Sequence, residues 1–261
     1  MTDSSALALP PNGSFSFDGR GALVTGAARG IGEAIARELF AGGARVAVSD
    51  VDLDAAAAVA RSLDASGTRA MALALDVRRL GDFESARDRL TQAWGRVDIV
   101  VNNAGYAKRT PLADITPDEF DAIVAINMRS VFLSCQVFGP AMATAGYGRI
   151  VNVTSLGGQN GGTVASAHYA AAKAGAIMLT KYFAQLWAGS GVTVNAIAPG
   201  PTASAKGRLS AEQIAMIEAR VPVGRFAEPS EIAAAAALLA SDRGGFFVGA
   251  TLDMNGGLYV R

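Results

Sequence analysis

Two side chains four residues apart, Tyr169 and Lys173, carry the chemistry of an acid–base pair. On a helix that spacing sets them on one face. A free tyrosine ionises near pH ~10, too high for base work near neutrality. A neighbouring ammonium favours the phenolate. The phenolate can take a proton from an alcohol, and the phenol can give one to a developing alkoxide. His168, the single histidine, adjoins Tyr169, but adjacent helix residues point about 100° apart. A structural or pocket-rim role is expected for it. A lone Tyr-x-x-x-Lys also occurs on ordinary helix surfaces, so the pair gains meaning only from its company.

That company begins with Thr25-Gly26-Ala27-Ala28-Arg29-Gly30-Ile31-Gly32. Gly26, Gly30 and Gly32 are spaced Gly-x-x-x-Gly-x-Gly, between an apolar strand-like run and a helical stretch. Glycines let a backbone turn tightly and approach a pyrophosphate. A following helix offers free N–H groups and the positive end of its dipole, and Arg29 and Ile31 lie at that start. Any tight strand–helix turn can use glycine, so Asp50, at the end of the next strand, adds the discriminating signal. A carboxylate there accepts hydrogen bonds from adenosine ribose hydroxyls and repels a 2′-phosphate. It favours NAD over NADP. Arg29 pulls the other way, since a guanidinium can pair a 2′-phosphate. Asp50 is weighted more heavily, although it could instead cap the next helix.

These residues need a scaffold that brings strand ends together. Ala22–Thr25, Arg45–Ser49, Ala70–Leu75, Val97–Val101, Arg149–Val153, Val192–Ala196 and Thr251–Met254 read as strands. Their near-continuous apolar character suits a parallel sheet covered on both faces. Between them, Ile31–Ala41 and the alanine-rich Leu53–Ala65 read as helices. Thr116-Pro117-Asp118-Glu119 opens another with a capping box, and Ser210-Ala211-Glu212-Gln213 repeats that logic. The fold class predicted is α/β: a single Rossmann-like, doubly wound, seven-stranded parallel sheet with helices on both faces. The domain is expected to span residues 18–261, after a mobile extension over residues 1–17.

The chain resembles the short-chain dehydrogenase/reductase (SDR) family from about Asp18 to Gly257. The resemblance rests on TGAARGIG at 25–32, Asp76-Val77, Val97-Asp98, Asn102-Asn103-Ala104-Gly105, Asn127, Ser155, Tyr169-Ala-Ala-Ala-Lys173 and Pro199-Gly200. It implies that Asp76 and Val77 hold the adenine. It implies that Asn103, Ala104 and Gly105 close the groove floor, while Asn102 helps hold the central strands. Asn127, Ser155, Tyr169 and Lys173 would form a catalytic tetrad, with Asn127 holding a water that links Lys173 to solvent. Pro199, Gly200 and the following residues would position the nicotinamide. Ser204 and Thr202 compete to supply a hydroxyl to its carboxamide. Residues 203–220 would be a substrate lid. Lys206 and Arg208 on it would either meet an acidic substrate or simply be solvated. The loop after Ser155 is glycine-rich, and its polar Gln159 and Asn160 are candidate substrate contacts. The function implied is hydride transfer between a nicotinamide and a carbonyl or secondary alcohol, such as a 3-oxoacyl thioester or a sugar or polyol. The alternatives are a catalytically silent dinucleotide-binding sensor and another reaction on the same scaffold.

Bulk composition narrows the partners. Lys plus Arg and Asp plus Glu each number 23 in 261 residues. That balance points away from nucleic acid and from anionic membranes. No apolar run long enough for a transmembrane helix is expected. A single cysteine, Cys135, suits a reducing, cytoplasmic setting. No His or Cys cluster suggests a metal. Apolar residues crowd 116–146 and 169–188, and 246–260 reads as an edge with little protective charge. The expected assembly is a homotetramer, built on those two surfaces as the resemblance implies.

Overall fold

The computed structural model describes residues 15–162 and 166–261. Seven strands form one parallel sheet: β1 (Gly21–Thr25), β2 (Arg45–Asp50), β3 (Ala70–Ala74), β4 (Ile99–Asn102), β5 (Gly148–Val153), β6 (Val192–Pro199) and β7 (Thr251–Met254). Their order is β3-β2-β1-β4-β5-β6-β7. The chain winds outward from β1 to β3, returns to β4 beside β1, then winds outward the other way. Such a reversal leaves a crevice at the carboxyl ends of the strands.

Alternation along each strand feeds both faces. Val24, Val46, Val48, Ile99, Val101, Val151 and Val153 pack with Ile35 and Leu39 of α1 (Gly30–Ala41) and Ile232 of α9 (Pro229–Ala240). Leu23, Ala47, Val100 and Ile150 point the other way. There they meet Phe83 and Leu90 of α3 (Leu80–Trp94), Phe138 of α5 (Ser130–Thr144) and Phe183 of α7 (Ala167–Trp187).

Several element ends differ from expectation, each for a tertiary reason. α2 (Leu53–Leu63) stops early because the Asp64 carboxylate accepts the N–H groups of Ser66 and Arg69 and closes a turn. β4 starts two residues late, since the buried Asp98 side chain accepts the Gly21 N–H at 2.9 Å. β6 runs on to Pro199 because Ala196–Pro199 pair with β7. α4 (Pro117–Val124) carries only half of its expected capping box. Thr116 Oγ1 accepts the Glu119 N–H at 3.1 Å, but the Glu119 carboxylate is engaged elsewhere. α8 (Ala211–Arg220) keeps the full box.

Phe17, placed in the extension on sequence grounds, is buried against Gly42, and its N–H donates to the Gly42 carbonyl at 2.7 Å. Residues 1–14 of that extension lie outside the described residues. Another correction concerns the stretch Pro117–Thr144. It is continuously helical and, by length and composition, apolar enough to cross a bilayer, contrary to the sequence expectation. In its most apolar window 56% is buried inside the fold. Much of that apolarity therefore serves packing on the sheet.

Candidate active site

One cavity of about 1270 Å³ runs along the carboxyl ends of the strands. Gly26, Arg29, Gly30, Ile31, Asp50, Asp76, Val77, Asn103, Ala104, Gly105, Ser155, Tyr169, Lys173, Pro199, Gly200, Thr202 and Ser204 all line it. The residues singled out at the glycine loop and those around Tyr169 thus border one and the same cavity.

At the end of the cavity formed by the glycine loop, Gly26 and Gly30 take φ of +62°, a region that disfavours side chains. A Cβ on Gly32 would lie 2.3 Å from the Gly26 carbonyl oxygen and 2.4 Å from Asn103 Nδ2. The absence of side chains there lets α1 close onto the strand ends. Arg29 provides no side-chain cap, so the helix end presents its N–H groups toward the cavity. This is the cradle a pyrophosphate requires. Asn103 Nδ2 donates to the carbonyls of Thr25 and Gly26, both at 2.9 Å. The neighbouring Asn102 donates to Asn152 of β5 at 2.8 Å, tying the central strands.

Asp50 does not cap the next helix; Asp52 does, accepting the Ala55 N–H. Asp50 Oδ2 instead accepts the Ala28 N–H at 3.3 Å and Oδ1 that of Asp52 at 3.2 Å. These bonds aim the carboxylate at the cavity beside the glycine loop. Arg29 lies exposed at the rim. Asp76 is clasped by Arg78, which donates through Nε to both carboxylate oxygens at 2.8 and 3.0 Å. That guanidinium holds the Asp76 carboxyl below its ordinary range.

At the other end, Ser155 follows β5, and Tyr169 and Lys173 stand one turn apart on α7. Lys173 is buried and donates through Nζ to the Val153 carbonyl at 2.9 Å. Burial pulls its pKa down to about 8. Its ammonium lies 5.8 Å from the centre of the Tyr169 ring. The expectation that lysine lowers the tyrosine pKa fails for this state. Burial raises Tyr169 above its ordinary value, and the Ser155 hydroxyl offsets part of the rise.

Asn127 stands apart from the cavity wall. It occupies a π-helical turn, Ala125–Arg129, between α4 and α5. Its amide is committed to backbone: Nδ2 donates to the carbonyls of Tyr106 and Ile123, and Oδ1 accepts the Tyr106 N–H at 3.2 Å. Only Gly105 separates it from Lys173. A Cβ there would lie 3.0 Å from Asn127 Oδ1 and 3.3 Å from Lys173 Nζ.

Gln159 and Asn160 are not among the residues that line the cavity. The loop folds into a short helix, Gly157–Asn160, which turns Gln159 onto Asp253 of β7 and lets Asn160 Oδ1 accept the Gly162 N–H. Thr202 is buried, and its hydroxyl donates to the Gly200 carbonyl at 3.3 Å. Ser204 borders Gly30: a Cβ added there would lie 3.2 Å from the Ser204 Cβ and 3.6 Å from its Oγ. Lys206 pairs with Glu218 at 2.9 Å rather than waiting for an anion. His168 lies fully buried outside the cavity lining. Tyr106 and Ala107 line the cavity without having been legible in the sequence, as does Arg78; its position two residues after Asp76 was the available signal.

A family model described as enoyl-(acyl carrier protein) reductase matches residues 26–259. D-threitol dehydrogenase of Mycolicibacterium smegmatis is 38% identical over 252 residues, 95% of each chain. The 3-oxoacyl-(acyl-carrier-protein) reductase of Escherichia coli is 41% identical over 248 residues, 94% of this chain and 99% of that one. The chain is a short-chain dehydrogenase/reductase. A crystal structure described as a gluconate dehydrogenase from Agrobacterium tumefaciens matches the fold of this SDR with a TM-score of 0.88. It is 33% identical, with 94% of this chain and 97% of that one covered. This SDR is therefore an oxidoreductase that uses a nicotinamide dinucleotide and acts on a carbonyl or alcohol group. The alternative of a catalytically silent sensor has no support in these relatives.

The depressed Lys173 pKa makes a stability prediction. In the folded protein the amine loses its proton around pH 8, but in the unfolded chain it keeps it to about 10.5. Between those values the unfolded chain binds more protons, so stability rises with pH. Below about pH 8 the penalty of a buried ammonium is fully present. Denaturant titrations without cofactor should show the parent gaining stability relative to Lys173→Met between pH 8 and 10.5. Parallel curves for the two proteins would contradict the assignment.

Proposed function

We propose that this SDR is an NAD-linked dehydrogenase/reductase in which Tyr169 is the general acid–base group for a secondary alcohol and its ketone. The observation that carries the reading is the convergence of Ser155, Tyr169 and Lys173 at one end of the cavity that the glycine loop and Asp50 close at the other. When bound, the nicotinamide supplies or accepts the hydride. Tyr169 gives its phenolic proton to the carbonyl oxygen in reduction and recovers it from the hydroxyl in oxidation. Burial keeps that phenol protonated, which suits donation to a developing alkoxide. Ser155 hydrogen-bonds the same oxygen and fixes its position. Lys173 holds the nicotinamide ribose, while Asn127 fixes the adjoining Tyr106 backbone and, as the resemblance implies, holds a water on the proton path. Ser204 supplies the hydroxyl for the carboxamide, since that of Thr202 is spent on Gly200.

Asp50, Asp76 and Val77 hold the adenosine half. The Asp50 carboxylate, fixed by two backbone N–H groups, supports NAD over NADP. The names of the relatives support a polyol or a 3-oxoacyl thioester as substrate class. Gln159 and Asn160 lend no weight to that choice, since Gln159 is bonded to Asp253 and Asn160 to the Gly162 backbone. Residues 203–220 form the lid, braced by the Lys206–Glu218 pair. The cytoplasm is the compartment proposed.

The assembly proposed is a homotetramer. Phe132, Met178, Tyr182 and Leu186 leave exposed apolar surface on α5 and α7, and Phe246 and Val248 do so near β7. Self-complementary contacts between copies would cover both surfaces.

Three measurements test this reading. Tyr169→Phe should lower kcat by about 10²–10⁴-fold, the usual range for a lost acid–base group, with the Kd for NADH nearly unchanged. Substantial turnover in that variant, on any substrate of the parent, contradicts the mechanism. Titration should give a Kd for NADH at least about tenfold below that for NADPH, or roughly 1.4 kcal/mol, and Asp50→Ala should narrow the gap; the reverse preference sinks the NAD assignment. Light scattering should give about four times the 26.6 kDa of one chain. A mass of one chain removes both contacts, and a mass of two chains removes one.

A further inference from the structure

Glu119 stands three residues after Thr116, where a carboxylate ordinarily reaches back to complete a capping box. Here it turns away from its own helix. Its Oε2 takes the Lys108 ammonium, and its Oε1 accepts the Thr110 hydroxyl and lies 3.1 Å from His168 Nε2. These donors hold its pKa at about 2, with the Lys108 and Thr110 hydrogen bonds the largest causes. The group is therefore an anion at any working pH. An anionic carboxylate only accepts, so His168 carries its hydrogen on Nε2. His168 is fully buried, and its Nδ1 has no hydrogen-bond partner. Among the described residues Glu119 is thus the one polar anchor of that ring, which also stacks on Phe120 with centroids 6.3 Å apart.

Three separate stretches meet at this carboxylate: α4, the segment between β4 and α4, and the first turn of α7. A second stitch runs alongside. Ser166 does not cap α7, although it stands at the cap position. Its hydroxyl accepts the Thr110 N–H and donates to the Lys108 carbonyl, each at 2.9 Å. The segment so held continues from Tyr106 and Ala107, which line the cavity. The anchored histidine immediately precedes Tyr169.

We infer that Glu119 is a positioning residue, whose carboxylate clamps the first turn of α7, and with it the Tyr169 hydroxyl, against the cavity wall formed by Tyr106 and Ala107. The inference rests on the reading of Tyr169 as the acid–base group. Small misplacement of a reacting group can lower a rate by orders of magnitude, so the clamp acts on kcat through geometry rather than by touching substrate.

The test is Glu119→Gln, which keeps shape and removes charge. Amide hydrogen exchange should speed up about tenfold or more at residues 106–110 and 167–171, with β5 and β6 unchanged, as expected for local opening. The kcat should fall about tenfold, while the Kd for NADH stays within about twofold. Lys108→Arg should retain the parent kcat, and Lys108→Met should lose part of it. Unchanged local exchange in Glu119→Gln overturns the clamp whatever activity does. Faster local exchange with an unchanged kcat overturns the positioning of Tyr169. If exchange rises across the whole sheet, Lys108→Met, which leaves the His168 contact in place, decides by the same two readouts. A parent protein that turns over no alcohol or ketone defeats the reading of Tyr169, and the exchange comparison then decides the clamp alone.

Discussion

The site depends on how closely α1 approaches the ends of β1 and β4. Gly32 permits that approach, since a single added methyl would collide with the Gly26 carbonyl and the Asn103 amide. Asn103 then ties Thr25 and Gly26 in place, while the Thr25 hydroxyl accepts the N–H groups of Asn103 and Ala104. The two strands on either side of the topological reversal are thereby joined to each other and to the helix. The open N-terminal end of α1 is left pointing into the crevice, where backbone N–H groups and the helix dipole favour an anion. No charged side chain is needed for this, which fits a chain without net charge.

The same sheet order brings the Ser155, Tyr169 and Lys173 end into one cavity with the glycine-loop end. β5 delivers Ser155, β6 delivers Pro199 and Gly200, and α7 lies across both to present Tyr169 and Lys173. Burial then sets the electrostatics. It raises the phenol and lowers the amine, both away from their charged forms. Cys135 is buried as deeply and its thiol is pushed up too, yet it lies in the core beneath α5, away from the cavity. Perturbed groups matter where a cavity gives them something to act on. Lys173 and Tyr169 meet that condition, and Cys135 does not.

Function and stability divide between the two ends of the sheet. At the amino ends of the strands, Asp98 is buried and paired with Arg96 at 2.7 Å, and Tyr147 lies between the guanidinium groups of Arg20 and Arg149. Charges there are matched within the chain. At the carboxyl ends, Lys173 has a carbonyl for a partner and, among the described residues, no carboxylate. Leaving such a group incompletely paired is unfavourable for folding and useful for chemistry.

The sequence by itself determined the sheet, the glycine loop, Asp50 and the Tyr169–Lys173 pair, because each is a local pattern. Strand alternation, a glycine at a positive φ and a four-residue helical spacing depend on neighbours in the chain. Partner choice between distant segments does not. Gln159 and Asn160 looked like pocket residues, but in the short helix Gln159 bonds to Asp253 of β7 and Asn160 to the Gly162 backbone. Asn127 was expected to hold a water that links Lys173 to solvent; the π turn that sets its amide against the Tyr106 and Ile123 backbone was not a pattern the sequence displayed. Asp50 could have capped a helix, and Glu119 should have completed a cap. Instead Asp50 braces the glycine loop, and Glu119 binds Lys108, Thr110 and His168. A polar side chain has several partners within reach of its own backbone, of similar strength. Which one it takes depends on what the packed core brings beside it, and only the tertiary structure decides that.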